Sequence, residues 1–141
     1  MSRFVLAAIV FFALYVCPAW GAEPVKCTRK AAIAAETQTR PKTWAELYIS
    51  YRHYVQCDDG SVAEAYSDFV GQMLAEQWET IEELNSLSKD HPSFGRFVLR
   101  HTDVTISLQQ ATAIKKNAES NCPVTAQTLC NRILNRMREW K

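Results

Sequence analysis

From Thr43 to Met137 the apolar residues recur at every third or fourth position. That spacing places side chains on one face only if the backbone is α-helical. The chain has four glycines, Gly21 included, and no Val/Ile-rich alternation of the kind a half-buried strand needs. The expected fold class is therefore all-α, a compact array of about five helices around one core.

The stripes can be read one by one. Glu23 to Lys42 is an Ala- and Thr-rich lead-in, partly helical over Arg29 to Glu36, with a start that stays loose unless Cys27 pins it. Thr43 and Glu46 have the spacing of a capping box, and Trp44, Leu47, Tyr48, Tyr51, Tyr54 and Val55 follow on one face. Cys57-Asp58-Asp59-Gly60 supplies a turn and an N-cap. The longest helix is expected from Ser61 to Leu87, its face made by Val62, Tyr66, Phe69, Val70, Met73, Leu74, Trp78, Ile81 and Leu84. Thr80 and Glu83 have the spacing to cap a second helix, which leaves room for a kink near Trp78. Pro92 suits a first helical position, and Phe94, Phe97, Val98 and His101 form a short stripe. Ser107 with Gln110 opens a helix to about Glu119. Asn121-Cys122-Pro123 starts the last one, with Ala126, Leu129, Cys130, Ile133, Met137 and Trp140 facing inward.

The first residues read as an export signal. Arg3 gives a positive start, Phe4 to Val16 is an apolar run of 13 residues, and Pro18 breaks it. Ala19 and Gly21 put small side chains where a signal peptidase cuts, so residues 1–21 are assigned as a signal peptide and 22–141 as a single helical domain. The run is shorter than the roughly 20 residues of a spanning helix, so no stable membrane insertion is expected after cleavage. Val16 argues against a lipid-bearing Cys17. The mature chain is expected to be periplasmic or secreted.

Cleavage removes Cys17 and leaves Cys27, Cys57, Cys122 and Cys130. In an exported chain four cysteines read as two disulfides, and no Cys-x-x-Cys pair suggests zinc. If Pro123 opens a helix, Cys130 lies about 12 Å along its axis from Cys122, beyond the reach of a disulfide. The expectation is that Cys27 and Cys57 each cross to a C-terminal cysteine.

Arg3 is the only charge in the signal, so the mature chain carries 15 basic and 15 acidic residues. With no basic excess, neither nucleic acid nor an anionic membrane is expected as the main partner. The charges are segregated, however. Residues 57–95 hold nine acids and one lysine, and residues 96–141 hold eight bases and three acids.

Little points to chemistry. His53 lies four residues before Cys57, but an oxidised cysteine is no nucleophile. His101 and Asp103 form a His-x-Asp pair without further ligands at metal-binding spacing, and His101 falls on an apolar face, where a hydrogen-bonded core imidazole is expected. Glu64 and Asp68 stand one turn apart beside Asp58 and Asp59, which suits acid–base work and also a helix N-terminus. Arg132, Arg136, Arg138 and Lys141 make a basic ridge on the last helix. No catalytic residue, metal or cofactor is assigned.

Tyr51 to Leu74, with Cys57-Asp58-Asp59-Gly60 followed by Ala63-Glu64-Ala65-Tyr66-Ser67-Asp68-Phe69-Val70, resembles a small family of exported proteobacterial proteins of unknown role. Phe97-Val98-Leu99-Arg100-His101-Thr102-Asp103 and Asn121-Cys122-Pro123 extend the resemblance. The layout is also similar to periplasmic immunity proteins of type VI secretion systems, which neutralise peptidoglycan amidase effectors. Those are short, signal-bearing, disulfide-containing helical proteins, often dimeric. The resemblance implies a non-enzymatic binding protein that occludes a toxin, with a homodimer allowed, and it carries over no functional residue. The candidate contact residues are Asp58, Asp59 and Ser61 in one loop and Lys89, Asp90 and His91 in another. The alternative is a small carboxylate- or metal-dependent envelope enzyme using Glu64, Asp68, His101 and Asp103, which requires those four side chains to converge.

Overall fold

The computed structural model describes residues 25–38, 41–103 and 105–138. The expected signal peptide, residues 1–21 with Cys17, and Trp140 lie outside the described residues. Every regular element among those described is helical, and there are seven α-helices rather than about five. They are α1 (Arg29–Gln38), α2 (Trp44–Tyr54), α3 (Gly60–Glu76), α4 (Ile81–Asp90), α5 (Pro92–Arg100), α6 (Leu108–Ser120) and α7 (Gln127–Arg138). One extra helix is α1, which forms in the lead-in. The other arises because the segment expected as a helix from Ser61 to Leu87 divides into α3 and α4.

The division has a tertiary cause. The backbone leaves α3 at Gln77 and makes a 3-10 turn over Trp78–Thr80. That turn lets the Trp78 indole donate to the Asn121 carbonyl at 3.0 Å, across 43 residues of sequence. Thr80 does not cap α4. Its hydroxyl accepts from the Trp44 indole at 2.8 Å and donates to the Gln77 carbonyl at 2.7 Å. Glu83, the would-be partner in a capping box, accepts instead from the Ala45 amide at 3.1 Å and serves the N-terminus of α2. The caps with local partners do form, Asp59 accepting from the Gly60 amide at the start of α3 among them. Thr43 accepts from the Glu46 amide, and Ser107 and Gln110 bond each other's backbone reciprocally.

The core is one cluster. Trp44, Leu47, Tyr66, Val70, Met73, Leu74, Phe94, Phe97, Ile114 and Ile133 are all at most 2% exposed within it. Helix α3 packs on α6, α4 folds back on α5, and α6 packs on α7. Gly95 permits the tight α4–α5 return, since a Cβ there would stand 3.0 Å from the Ser88 Cβ. Asn117 donates to the Leu74 and Ala75 carbonyls, both at 3.3 Å, and so serves two carbonyls that the end of α3 leaves unpaired.

The disulfides are Cys27–Cys57 and Cys122–Cys130, so the expected crossing of the N- and C-terminal cysteines is wrong. Pro123 does not open the last helix. A 3-10 turn, Val124–Ala126, intervenes, and α7 begins only at Gln127. Cys130 therefore sits in the first turn of α7, and its Cα lies 6.3 Å from that of Cys122, within bridging distance. The other bridge joins residues 30 apart and ties the lead-in to the turn after α2. Cys27→Ser with Cys57→Ser should cost about 3–4 kcal/mol by loop entropy. It should also raise amide exchange in α1 before the rest of the fold. Equal exchange in α1 with and without the bridge would contradict this anchoring role.

Candidate functional site

Helices α2 and α5 run side by side and pair through rings. At the start of α5, His91 stacks on Tyr48 with centroids 4.3 Å apart and planes at 14°. One turn on, Phe94 meets Tyr48 at 5.2 Å and Tyr51 at 5.5 Å. A further turn on, Phe97 meets Tyr51 at 4.8 Å. The 3,4 spacing of residues 91, 94, 97 and 101 builds this ladder. Phe94 and Phe97 are buried, while Tyr48, Tyr51 and His91 remain half-exposed. Arg52 lies over the Tyr48 ring at 6.0 Å.

At the other end of the ladder the aromatic packing gives way to a polar cluster. His101 is 4% exposed and Ser67 is 2% exposed. The Ser67 hydroxyl lies 2.9 Å from His101 Nδ1 and donates to Asp103 Oδ2 at 3.3 Å. On the other side of the imidazole, Nε2 stands 3.1 Å from Asp58 Oδ1, without the alignment of a hydrogen bond. Arg100 donates to Asp58 Oδ2 at 3.0 Å. When the imidazole is doubly protonated, every hydrogen has a direction to go: Nε2–H towards Asp58, Nδ1–H to Ser67, and the Ser67 hydroxyl onward to Asp103.

The charge balance of Asp58 follows from its neighbours. Burial alone would raise its pKa, but the neighbouring His101 imidazole, together with the Arg100 guanidinium, outweighs burial and holds it below the ordinary value of 3.8. Nearby Tyr66 moves the other way. Burial raises its pKa, a bond to the Ser50 hydroxyl at 2.9 Å partly opposes the rise, and the Asp58 charge adds to it.

The predicted residues fall into distinct places. Asp58 is only 12% exposed in its side chain and is engaged inward by Arg100 and His101. Asp59 is exposed and accepts from the Gly60 amide, at a turn where Gly60 takes a φ of +53°. Ser61 is exposed, and its hydroxyl donates to Glu36. Lys89 and Asp90 are exposed at the α4–α5 turn, and Lys89 donates to the Thr125 carbonyl at 3.4 Å. His91 belongs to the aromatic ladder. The two candidate loops thus lie at opposite ends of α5, about 13 Å apart along its axis.

Of the four residues in the alternative enzyme, His101 and Asp103 meet on Ser67, whereas Glu64 and Asp68 are exposed and stand outside this network. Among the described residues no three His, Cys, Asp or Glu side chains are grouped to hold a metal ion. His53 is exposed, and Cys57 is in a disulfide. Sequence reasoning missed Ser67 and Arg100. Ser67 was detectable as a lone hydroxyl beside the apolar face of α3, next to Tyr66 and three residues before Val70. Arg100 carried no local signal, because its partner Asp58 is 42 residues away.

No protein-family model, no curated protein and no solved structure matches this chain. Among the described residues no helix is long and apolar enough to cross a membrane.

Proposed function

We propose that this chain is a non-enzymatic binding protein of the bacterial envelope, exported by its first 21 residues, that neutralises a secreted cell-wall-degrading toxin by occlusion. The observation that carries the reading is the placement of both candidate loops at the two ends of one half-exposed aromatic face. Tyrosine and arginine are the residue types that dominate binding energy at protein interfaces, and Tyr48, Tyr51 and Arg52 are concentrated here between Asp90 and Asp59. Packing on Phe94 and Phe97, with the Cys27–Cys57 bridge at the turn after α2, holds the face in place, which limits the entropy lost on binding. The bridges also suit an oxidising compartment. The resemblance to periplasmic immunity proteins supports the same conclusion.

The test takes secreted cell-wall hydrolases, beginning with any encoded beside this gene, and reconstitutes each with this chain. Directed to the periplasm of a host that lacks this chain, the hydrolase should lyse cells, and co-expression of the chain should restore growth. Arg52→Glu with Asp90→Lys changes two exposed residues, so the melting temperature should hardly move, yet protection should be lost. Glu64→Gln should protect like the wild type. If Glu64→Gln abolishes protection with partner affinity intact, the chain acts chemically and the binding reading is wrong. If no cell-wall hydrolase tested responds to the chain, the inhibitory role is wrong.

A further inference from the structure

Helices α5 and α7 together carry Arg96, Arg100, Arg132, Arg136 and Arg138 and not one acidic residue. In a mature chain with equal numbers of acids and bases, this is a marked separation of charge. Arg96, Arg100 and Arg136 surround a single open hollow of about 310 Å³, with Leu99 as its apolar part. Arg100 is held from behind. It is bonded to Asp58 at 3.0 Å and lies over the Phe97 ring at 5.8 Å, which fixes its plane while leaving its side chain 60% exposed. Arg136 is half-buried and already partnered. Arg96 is exposed, and its side chain takes part in no ion pair or hydrogen bond among the described residues. The groups open to a ligand are therefore Arg96 and the outer edge of Arg100, one helical turn apart.

We infer that this hollow receives a carboxylate side chain projecting from an acidic segment of a protein partner. A planar guanidinium presents paired N–H donors that match a carboxylate two-to-one. Leu99 offers the apolar contact that the methylenes of a glutamate need. The hollow lies on the α7 side of α5, away from the aromatic ladder on the α2 side, so a partner reaching both would clasp α5. The inference rests on the chain being a protein-binding module, but it does not need that partner to be a toxin.

The experiment uses the mature, oxidised protein at low ionic strength. It is titrated separately with an acetylated hexaglutamate peptide, with inorganic sulfate and with phosphatidylglycerol vesicles, and amide and arginine Nε–H shifts are followed by NMR. The peptide should give saturable shifts confined to α5 and α7 that weaken steeply with added salt. Arg96→Gln should weaken binding by about tenfold, a loss typical of one charged contact at a partly exposed site, with an unchanged melting temperature. Arg96→Lys should restore only part of it, because the ammonium lacks the fork. Arg132→Gln, which removes a charge outside the hollow, should weaken binding much less. Equal loss in Arg96→Gln and Arg132→Gln would reduce the effect to net charge and overturn the site. So would shifts produced by sulfate as strongly as by peptide, or binding by vesicles alone. Peptide binding without protection from any cell-wall hydrolase tested would leave this site standing and remove the toxin, while protection without peptide binding would do the reverse.

Discussion

Phe97→Ala should destabilise the protein by about 3–5 kcal/mol, the range for emptying a fully buried aromatic site. Phe97 is 1% exposed and touches rings from three helices and a loop-side imidazole. Its centroid lies 4.8 Å from Tyr51, 5.0 Å from Tyr66, 6.2 Å from Phe94 and 4.5 Å from His101. Arg100 lies over the same ring at 5.8 Å. Removing it leaves a cavity that rigid neighbours cannot fill, and it takes away the support under both the aromatic face and the polar cluster. Phe97→Leu keeps most of the volume and should cost roughly 1 kcal/mol. Urea denaturation of the two variants checks the pair. Similar costs for Ala and Leu would mean that the site collapses freely, and Phe97 would not be the hub the contacts make it.

Asp58→Asn should cost about 1–3 kcal/mol at pH 7, with a pH dependence that identifies the cause. The carboxylate is bound by Arg100, whose side chain is largely exposed, which moderates the loss, and by the buried His101. Its folded pKa lies below the ordinary 3.8. An acid with a depressed folded pKa contributes its stabilisation above the unfolded value and loses it as the pH falls through the folded value. The gap between wild type and Asp58→Asn should therefore be widest near neutrality and close progressively below about pH 3.8. Denaturation curves at pH 7 and pH 3 give the two gaps. An equal gap at both would show that shape, not charge, makes Asp58 matter.

These two variants bear on function because they strike different ends of one face. Phe97→Ala undermines the ring ladder and Asp58→Asn unties the turn that carries Asp59 and Ser61. Asp58 was expected among the contact residues on the strength of its loop. Its engagement by Arg100 and His101 shows why charge reversal there is a poor probe of binding: it would disturb the fold first. Arg52 and Asp90, exposed on the same side, are the cleaner choice.

Local physics was legible wherever partners are close in the chain. Thr43 capping α2, Ser107 with Gln110 opening α6, Pro92 starting α5 and the stripe of Phe94, Phe97, Val98 and His101 all depend on residues within a turn or two. Those signals are enough to specify an all-helical chain with one core. The expectation that His101 is a hydrogen-bonded core imidazole also came from its place on a stripe. What it bonds could not, because Ser67 is 34 residues away.

The amino-acid sequence by itself determined the helical class, most helix starts, the inward faces and the separation of acids from bases. The sequence allowed a break near Trp78, but the tertiary structure decided its form, since the turn at Gln77 serves a bond from Trp78 to Asn121 and Thr80 accepts from Trp44 instead of capping α4. It also decided the disulfide partners, because a 3-10 turn before α7 brings Cys130 within reach of Cys122. Above all it decided the meeting of Asp58, Ser67, Arg100, His101 and Asp103. The physical reason is common to all three. Spacing along a chain states which way a side chain faces on its own helix, but only the packing of helices states what it faces.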